Sequence, residues 1–567
     1  MGNSRVTLSE KQEEIVKAIG NVVVNACPGS GKTFSVAARI AHLLATKEYH
    51  HQGIAAISFT NTAWEEIEKK LKEDFYVDIP MRYPHFLGTI NSFINEYVTL
   101  PFGHLLLKLN KKVELVGEPH TPWSGKGYYS SFFDKISYNI NNEPFIFSGT
   151  IIRRAIQNDV FKTKGQIIKK GILNQSDSDY LAMKTLQNYP LITRNIATRF
   201  PYLVIDEAQD TTDVQMEIIN LLSQYTKEIM LIGDPDQAIF EWNHAKPSLF
   251  TDKIDEWKSE IKLDENRRSS LNICNCANAF LKITKSTPYE KSKVKDYPFI
   301  PVLKEYNSDD QHSINQIKND FLDLCKEHEI EENRIAIIYR SKSFGRHLGV
   351  PIIQPNKQPW QIGKFYVRDI VHGKYLYENG DLKKGFKYME LGFHKANTGN
   401  SYLENNHIRT QVAEKGFVNY RKEIIDFIYL LPDCKGENLN DWLVKASNKL
   451  NGKYAFDFTI DGKLGDRPIE SYFGDGDLTK EENKYHVGTI HSVKGETYDA
   501  ILLFLNNASG CRTLYSNIFK KTDDERKDEE REEMRIVYVG LTRARKILVI
   551  AVPNGNKNIW CEKLKLE

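Results

Sequence analysis

The chain has 567 residues and a formal net charge of +2, with 41% hydrophobic and 27% charged residues. This length predicts about three to four domains, and the composition is typical of a soluble globular protein. The balanced charge excludes a uniformly basic protein, so any nucleic-acid site must be a local basic groove. No apolar run reaches the length of a membrane span and no secretory signal opens the chain, which predicts a cytoplasmic protein without a membrane segment.

The first informative stretch follows a predicted amphipathic helix, residues 8–18, and a short apolar strand, residues 22–24. It consists of eight consecutive residues that precede a helix-compatible segment: Ala26, Cys27, Pro28, Gly29, Ser30, Gly31, Lys32 and Thr33. A strand, a glycine-containing turn, Lys-Thr and a helix make a phosphate-binding loop, whose backbone N–H groups point at the phosphates. Lys32 would reach the β- and γ-phosphates, and the Thr33 hydroxyl would bind Mg²⁺.

Gln12 lies just ahead of this loop, where its amide could pair with N6 and N7 of adenine. Taken alone, an ordinary exposed glutamine is the favoured interpretation.

Two later strand ends, residues 54–59 and 88–93, carry polar and aromatic side chains. Such junctions lie at the carboxyl edge of a parallel sheet, where ligands bind. The regular succession of predicted strands is interrupted at residues 95–195, which are interpreted as an inserted, mostly helical subdomain.

An acidic pair follows the next apolar strand, residues 202–205. Asp206 would hold Mg²⁺, and Glu207 would polarise the attacking water. Strand 229–232 leads to Gln237, which is placed to sense the γ-phosphate. Phe240 and Trp242 follow, and aromatic side chains can stack on bases. Core packing remains the alternative for Trp242.

The second half repeats the alternation of strands and loops. Apolar strands are predicted at 335–340, 487–490, 500–504 and 547–552, and residues 345–482 between them are interpreted as a second insertion. The charged run at 520–535 is interpreted as a solvated helix face. Seven scattered cysteines without a C-x-x-C pair predict reduced thiols and no structural metal.

In this order the motifs resemble those of superfamily 1A DNA helicases of the UvrD/Rep/PcrA type, over nearly the whole chain. The matching segments, from the Q motif through motifs I, Ia, Ib, II, III, IV, V and VI, are Gln12 and residues 26–33, 57–66, 88–93, 206–210, 233–242, 263–269, 489–496 and 533–545. The resemblance implies an α/β fold with two RecA-like phosphate-loop domains, each with an inserted, mostly helical subdomain. The implied first domain is 1–94 with 196–261 and its insertion 95–195; the second is 262–344 with 483–567 and its reduced insertion 345–482.

The resemblance also implies an enzyme, a DNA-dependent ATPase that moves along single-stranded or tailed double-stranded DNA from 3′ to 5′. ATP and Mg²⁺ would lie between the two domains, with catalytic residues from the first (Lys32, Glu207, Gln237) and arginine fingers from the second (Arg268, Arg543). Arg267 and Glu496 would join Gln12 and residues 26–33 around the nucleotide, while Thr33 and Asp206 would bind Mg²⁺. The residues that look like DNA contacts are Phe59, Asn61, Thr89, Phe240, Trp242 and His491.

The chain departs from the family at several motif positions. Arg267 stands where the family usually has tyrosine, Asn91 replaces a histidine, Asn243 replaces an arginine, and the motif V acid is shifted to Glu496. The chain also resembles the helicase-like subunit of Gabija-type antiphage systems, which works with a nuclease subunit. The implied alternative is an ATPase that senses DNA ends or nucleotides and regulates a partner nuclease. A phosphate-loop ATPase that acts only as a structural binding module is a third hypothesis.

Overall fold

The computed structural model describes residues 7–46, 52–77, 83–115, 133, 135–146, 152–239, 245–281, 286–308, 310–349, 359–360, 364, 366–399, 405–473, 485–510 and 512–566. The strands in this part of the chain are β1 (Val22–Ala26), β2 (Ile54–Ser58), β3 (Phe86–Thr89), β4 (Glu114–Leu115), β5 (Ile136–Tyr138), β6 (Pro144–Ile146), β7 (Ile172–Leu173), β8 (Tyr202–Ile205), β9 (Glu228–Gly233), β10 (Glu260–Leu263), β11 (Glu265–Asn266), β12 (Thr287–Pro288), β13 (Val302–Tyr306), β14 (Ile335–Tyr339), β15 (His486–Thr489), β16 (Tyr498–Phe504) and β17 (Ala544–Pro553).

The α-helices described are α1 (Glu10–Lys17), α2 (Lys32–Thr46), α3 (Asn61–Glu73), α4 (Ile90–Ile94), α5 (Leu100–Leu107), α6 (Arg154–Lys169), α7 (Gln175–Asn188), α8 (Pro190–Arg199), α9 (Asp213–Ser223), α10 (Pro247–Trp257), α11 (Leu271–Phe280), α12 (Gln311–Glu327), α13 (Tyr366–Glu378), α14 (Leu382–Thr398), α15 (Asn405–Lys415), α16 (Phe417–Leu430), α17 (Leu439–Leu450), α18 (Glu470–Phe473), α19 (Tyr515–Lys520), α20 (Asp528–Leu541) and α21 (Lys557–Leu564). A π-helical turn, Asn95–Thr99, joins α4 to α5. None of these helices combines the length and the apolar composition that a membrane crossing needs.

The first domain is built on a six-stranded parallel sheet in the order β10-β1-β9-β8-β2-β3. Its inner strands are mainly apolar and buried because helices cover both faces of the sheet. In β1, Val22 and Val24 pack into the core on one face, whereas Val23 packs with Ala55 and Ile57 on the other. This topology places the turns that follow β1, β8 and β9 side by side at the carboxyl edge of the sheet.

The second domain contains a five-stranded parallel sheet in the order β13-β17-β16-β14-β15. The prediction of two parallel α/β domains is therefore confirmed. The interpretation of 520–535 as a solvated face is wrong in part. Helix α20 begins at Asp528, and its Glu533 is only 2% exposed. Its carboxylate accepts hydrogen bonds of 2.8 and 2.6 Å from the Arg340 guanidinium, which removes that side chain from solvent.

Helical segments lie between the strands of both sheets. In the second insertion, Phe393, Phe427 and Trp442 belong to a separate apolar core. Helices α13 and α14 can pack closely because Gly373 has no side chain. A Cβ at this position would lie 2.7 Å from the Met389 backbone nitrogen. In the first insertion, helix α7 packs on the six-stranded sheet through Ala182, Met183 and Leu186.

Candidate nucleotide-binding cleft

The phosphate-binding loop connects β1 to α2 and bends at two glycines. Gly29 and Gly31 have φ angles of +73° and +83°, a region that side chains other than glycine rarely adopt. Space is also restricted, since a Cβ on Gly29 would lie 2.6 Å from the Arg268 Cβ and 2.7 Å from the Asn266 Oδ1. The Arg267 N–H donates to the Gly29 carbonyl at 2.8 Å. The predicted motifs I and IV are therefore in direct contact.

Lys32 begins α2 and contacts both acids that follow β8. Its ammonium lies 2.5 Å from Glu207 Oε1 and 3.7 Å from Asp206 Oδ1. Burial alone would lower the pKa of Lys32, but the Glu207 and Asp206 carboxylates outweigh it and raise the pKa. For Glu207, burial opposes ionisation, yet Lys32 and then Lys494 lower its pKa to about 2. The lysine is therefore charged and Glu207 is an anion at neutral pH.

Asp206 and the loop together fit Mg²⁺ and phosphate. Asp206 is 1% exposed, and its buried Oδ2 has no hydrogen-bond partner among the described residues; burial raises its pKa to about 6. The Ser30 hydroxyl is likewise buried and without a partner in that part of the chain. Thr33, the second residue of α2, follows Lys32 directly. No group of three or more His, Cys, Asp or Glu side chains in the described ranges is arranged to hold a metal ion.

A chain of hydrogen bonds leads from Glu207 to the second domain. Gln209 donates to Glu207 Oε2 at 2.5 Å and accepts from the Asp234 backbone N–H at 3.0 Å. Gln237 in turn donates to the Asp234 carboxylate and accepts from the Arg543 guanidinium. The residues that follow β8 and β9 are thus linked to an arginine that precedes β17.

Two arginines of the second domain lie beside the loop, with Arg543 buried and Arg268 half-buried. The Arg268 Nη1 donates to the Thr542 carbonyl at 3.1 Å, and Arg543 Nε donates to the Val539 carbonyl at 3.1 Å. Burial lowers the pKa of Arg268 to about 10. Burial, together with the charge of Arg268, lowers the pKa of Arg543 to about 9. Two poorly solvated cations that repel each other are suited to binding a polyanion such as a triphosphate.

The other predicted nucleotide contacts lie around the loop. Gln12 is 1% exposed, so the favoured interpretation of an exposed glutamine is wrong; it accepts from the Ser9 N–H at 3.1 Å. Its Nε2 would lie 3.3 Å from a Cβ on Gly31. The Arg267 guanidinium lies 3.8 Å from the ring centre of Tyr289. The Glu496 carboxylate accepts from the Tyr498 hydroxyl, and its carbonyl lies 3.5 Å from Arg543 Nη1.

The predicted DNA contacts follow strand ends in both domains. Phe59 follows β2, is half-buried and packs against the apolar core that contains Val23 and Ile57. Thr89 ends β3, and its hydroxyl accepts from the Ser92 N–H at 3.2 Å. His491 lies in the short 3₁₀ turn after β15. Phe240 and Trp242 lie outside the described residues, as does the side chain of Asn61, which begins α3.

Several residues at the cleft were not predicted from the sequence. Gln209 is fully buried and joins two motifs, and Tyr289 lies under Arg267. Lys494 contacts Asp210 across the domains, with 2.6 Å between Nζ and Oδ2. Gln209 and Lys494 lie within recognised motifs, and this position could have identified them as residues of the cleft. No sequence signal identifies Tyr289, because it lies about twenty residues after the motif at 263–269.

Comparisons with known proteins show which family this chain matches. The UvrD/REP helicase N-terminal domain model matches residues 8–119 and 153–258, and the UvrD-like helicase C-terminal domain model matches residues 474–555. The chain is 24% identical to ATP-dependent DNA helicase Rep of Buchnera aphidicola over 607 residues, covering 93% of this chain and 92% of that protein. It is 24% identical to ATP-dependent DNA helicase PcrA of Leuconostoc citreum over 636 residues, covering 96% and 81%.

Proposed function

The chain belongs to the UvrD-like helicase family, and we propose that it is an ATP-driven DNA translocase and helicase. ATP hydrolysis takes place between the two RecA-like domains, and single-stranded or tailed double-stranded DNA is the substrate. The related proteins are DNA helicases by name, which supports the substrate class. A direction of 3′ to 5′ is proposed from the family resemblance alone.

The observation that carries this proposal is the contact between Gln237 and Arg543. It joins the two domains beside the Lys32–Glu207 pair. Lys32 binds the phosphates, and the Glu207 carboxylate takes a proton from the attacking water. Arg543 and Arg268 stabilise the charge that builds up on the γ-phosphate. Closure of the cleft thereby completes the catalytic site.

The cofactor assignment rests on the residues around the loop. Asp206, with its buried unpartnered oxygen, and Thr33 would hold Mg²⁺, while residues 26–33 would hold the phosphates. Bound Mg²⁺ supplies neutralisation of charge on the β- and γ-phosphates. Gln12 and Arg267 would face the base. The first domain would comprise residues 1–94 with 196–261, and the second residues 262–344 with 483–567.

The DNA path would cross both domains along the carboxyl ends of their sheets. Phe59 and Thr89 in the first domain and His491 in the second supply its contacts, together with Asn61, Phe240 and Trp242. An aromatic side chain stacks on a base without reading its sequence. Alternating contacts in two domains would allow each closure to move the strand by one step.

The test is an ATPase assay with and without single-stranded DNA, paired with unwinding of duplexes that carry a 3′ or a 5′ tail. The wild-type protein should be stimulated by DNA and should unwind only the 3′-tailed duplex. Lys32→Ala should abolish both activities, whereas Lys326→Ala, at an exposed lysine of the second domain, should change neither. Wild-type ATPase that ignores DNA, or strand separation that survives in Lys32→Ala, would contradict the proposal.

A second candidate is an ATPase subunit that senses DNA ends or nucleotides and regulates a partner nuclease in an antiphage complex. Asn91, which replaces a histidine of the family pattern, accepts from Gln215 Nε2 at 3.3 Å. Its half-buried side chain is thus engaged within the protein through its oxygen, which favours weaker binding to DNA than the family pattern implies. Co-expression with a nuclease encoded beside its gene tests this candidate. Stable co-purification, with cleavage that responds to ATP, is expected; separate elution and unregulated cleavage would refute it.

A further inference from the structure

Besides the Gln237–Arg543 hydrogen bond, an ionic contact joins the two domains. The Lys494 ammonium lies 2.6 Å from Asp210 Oδ2. The Lys494 side chain is 10% exposed and that of Asp210 is 3% exposed. Desolvation of both charges makes such a pair a poor source of net stability.

Asp210 belongs to the turn that holds Glu207. The Asp210 N–H donates to the Glu207 carbonyl at 2.9 Å, and the turn contains Ala208, Gln209 and Asp210. Glu207 has a φ of +55°, which is strained for a residue with a side chain. The conformation that aims the Glu207 carboxylate therefore depends on the contacts that hold this turn.

Lys494 belongs to the turn that carries a proposed DNA contact. The Lys494 N–H donates to the His491 carbonyl at 3.3 Å, so the two residues are fixed to each other by the backbone. Two residues further on, the Glu496 carbonyl lies 3.5 Å from Arg543 Nη1. One short segment thus connects the DNA side of the second domain with the nucleotide cleft.

We propose that Lys494 is a positioning residue that transmits DNA occupancy to ATP hydrolysis by holding the Asp210 turn. DNA bound at His491 fixes the turn that carries Lys494, and the Lys494–Asp210 pair then supports the strained backbone conformation of Glu207. Without this pair only the side-chain contacts with Lys32 and Gln209 hold the Glu207 carboxylate, and the backbone of the turn loses the support that keeps the carboxylate in the orientation needed for water activation. This inference deepens the proposed function and rests on it.

The test compares Lys494→Met, Asp210→Asn and their combination with the wild-type protein. Each single variant should lower the kcat of the DNA-stimulated ATPase by about tenfold or more, the range seen when a supporting contact is lost. The KM for ATP and the affinity for a fluorescent oligothymidylate should change by less than about twofold, because neither residue binds substrate. The double variant should be no worse than either single variant, since both remove the same pair.

Two further variants separate positioning from folding. Lys494→Arg keeps the charge and should recover most of the DNA stimulation. Lys326→Met removes one partner of an exposed Lys–Asp pair in the same domain, with 2.9 Å between Lys326 and Asp323, and should leave stimulation intact. Full stimulation in Lys494→Met, or additive losses in the double variant, would overturn the inference. A wild-type protein without DNA stimulation would instead overturn the proposed function.

Discussion

The side-chain carbonyl of Gln237 accepts a hydrogen bond from the guanidinium of Arg543. Gln237 follows strand β9 of the first sheet, whereas Arg543 precedes strand β17 of the second. Gln237 is also bonded to Asp234, which contacts Gln209 through its backbone. Two residues after Gln237, Ile239 is buried in the core of the second domain, and Arg535 Nε donates to the Ala238 carbonyl at 2.9 Å. The segment after β9 is therefore part of the first domain in sequence but is also held by contacts with the second domain.

Arg543→Ala should lower kcat by about a thousandfold, the lower range of arginine-finger effects, because charge on the γ-phosphate then loses one of its two arginine partners. ATP affinity should fall far less, since Lys32 and the loop remain. Steady-state ATPase and binding of a fluorescent ATP analogue give the two quantities. Arg346→Ala, at an exposed arginine of the same domain, is the control. A kcat within threefold of wild type would exclude Arg543 from the reaction.

Glu207→Gln should retain ATP but lose turnover by at least about a hundredfold, because an amide cannot accept the proton of the attacking water. The glutamine can still accept a hydrogen bond from Lys32, so the loop should keep its conformation. A single-turnover assay with radiolabelled ATP separates retention from hydrolysis. Turnover near the wild-type rate would assign the general base to another group.

The sequence predicts the two sheets and most of the cleft because both depend on local signals. Continuous apolar runs such as 202–205 and 500–504 identify buried parallel strands, and the Gly-Ser-Gly-Lys-Thr turn identifies the phosphate site. Contacts between distant segments leave no such signal. The burial of Glu533 depends on Arg340, which precedes it by 193 residues. Tyr289 under Arg267 is likewise a consequence of tertiary packing.

Protein without nucleotide should become more stable as the pH falls from 8 to 6, in part because of Asp234. Burial and the neighbouring Asp236 carboxylate raise its pKa from 3.8 to about 7. Between these values the folded protein binds a proton that the unfolded chain has released, so lower pH favours the folded state. Thermal melting at pH 8, 7 and 6 measures the effect. Asp234→Asn lacks the titrating group, and its gain in Tm should be smaller; an equal gain would contradict the assignment.

Gly29→Ala should impair ATP binding more than any loss of stability explains. A φ of +73° costs a side chain of order 1–3 kcal/mol, and the new Cβ would lie 2.6 Å from the Arg268 Cβ. Relief of that clash must displace either the phosphate loop or the segment that carries Arg268. Gly20→Ala is a matched control, because Gly20 has a φ of +78° but no atom within 4 Å of the new Cβ. Melting experiments should show a loss of stability in both variants, whereas only Gly29→Ala should raise the KM for ATP. An equal KM in the two variants would mean that the loop tolerates the methyl group and that its contact with Arg268 does not shape the site.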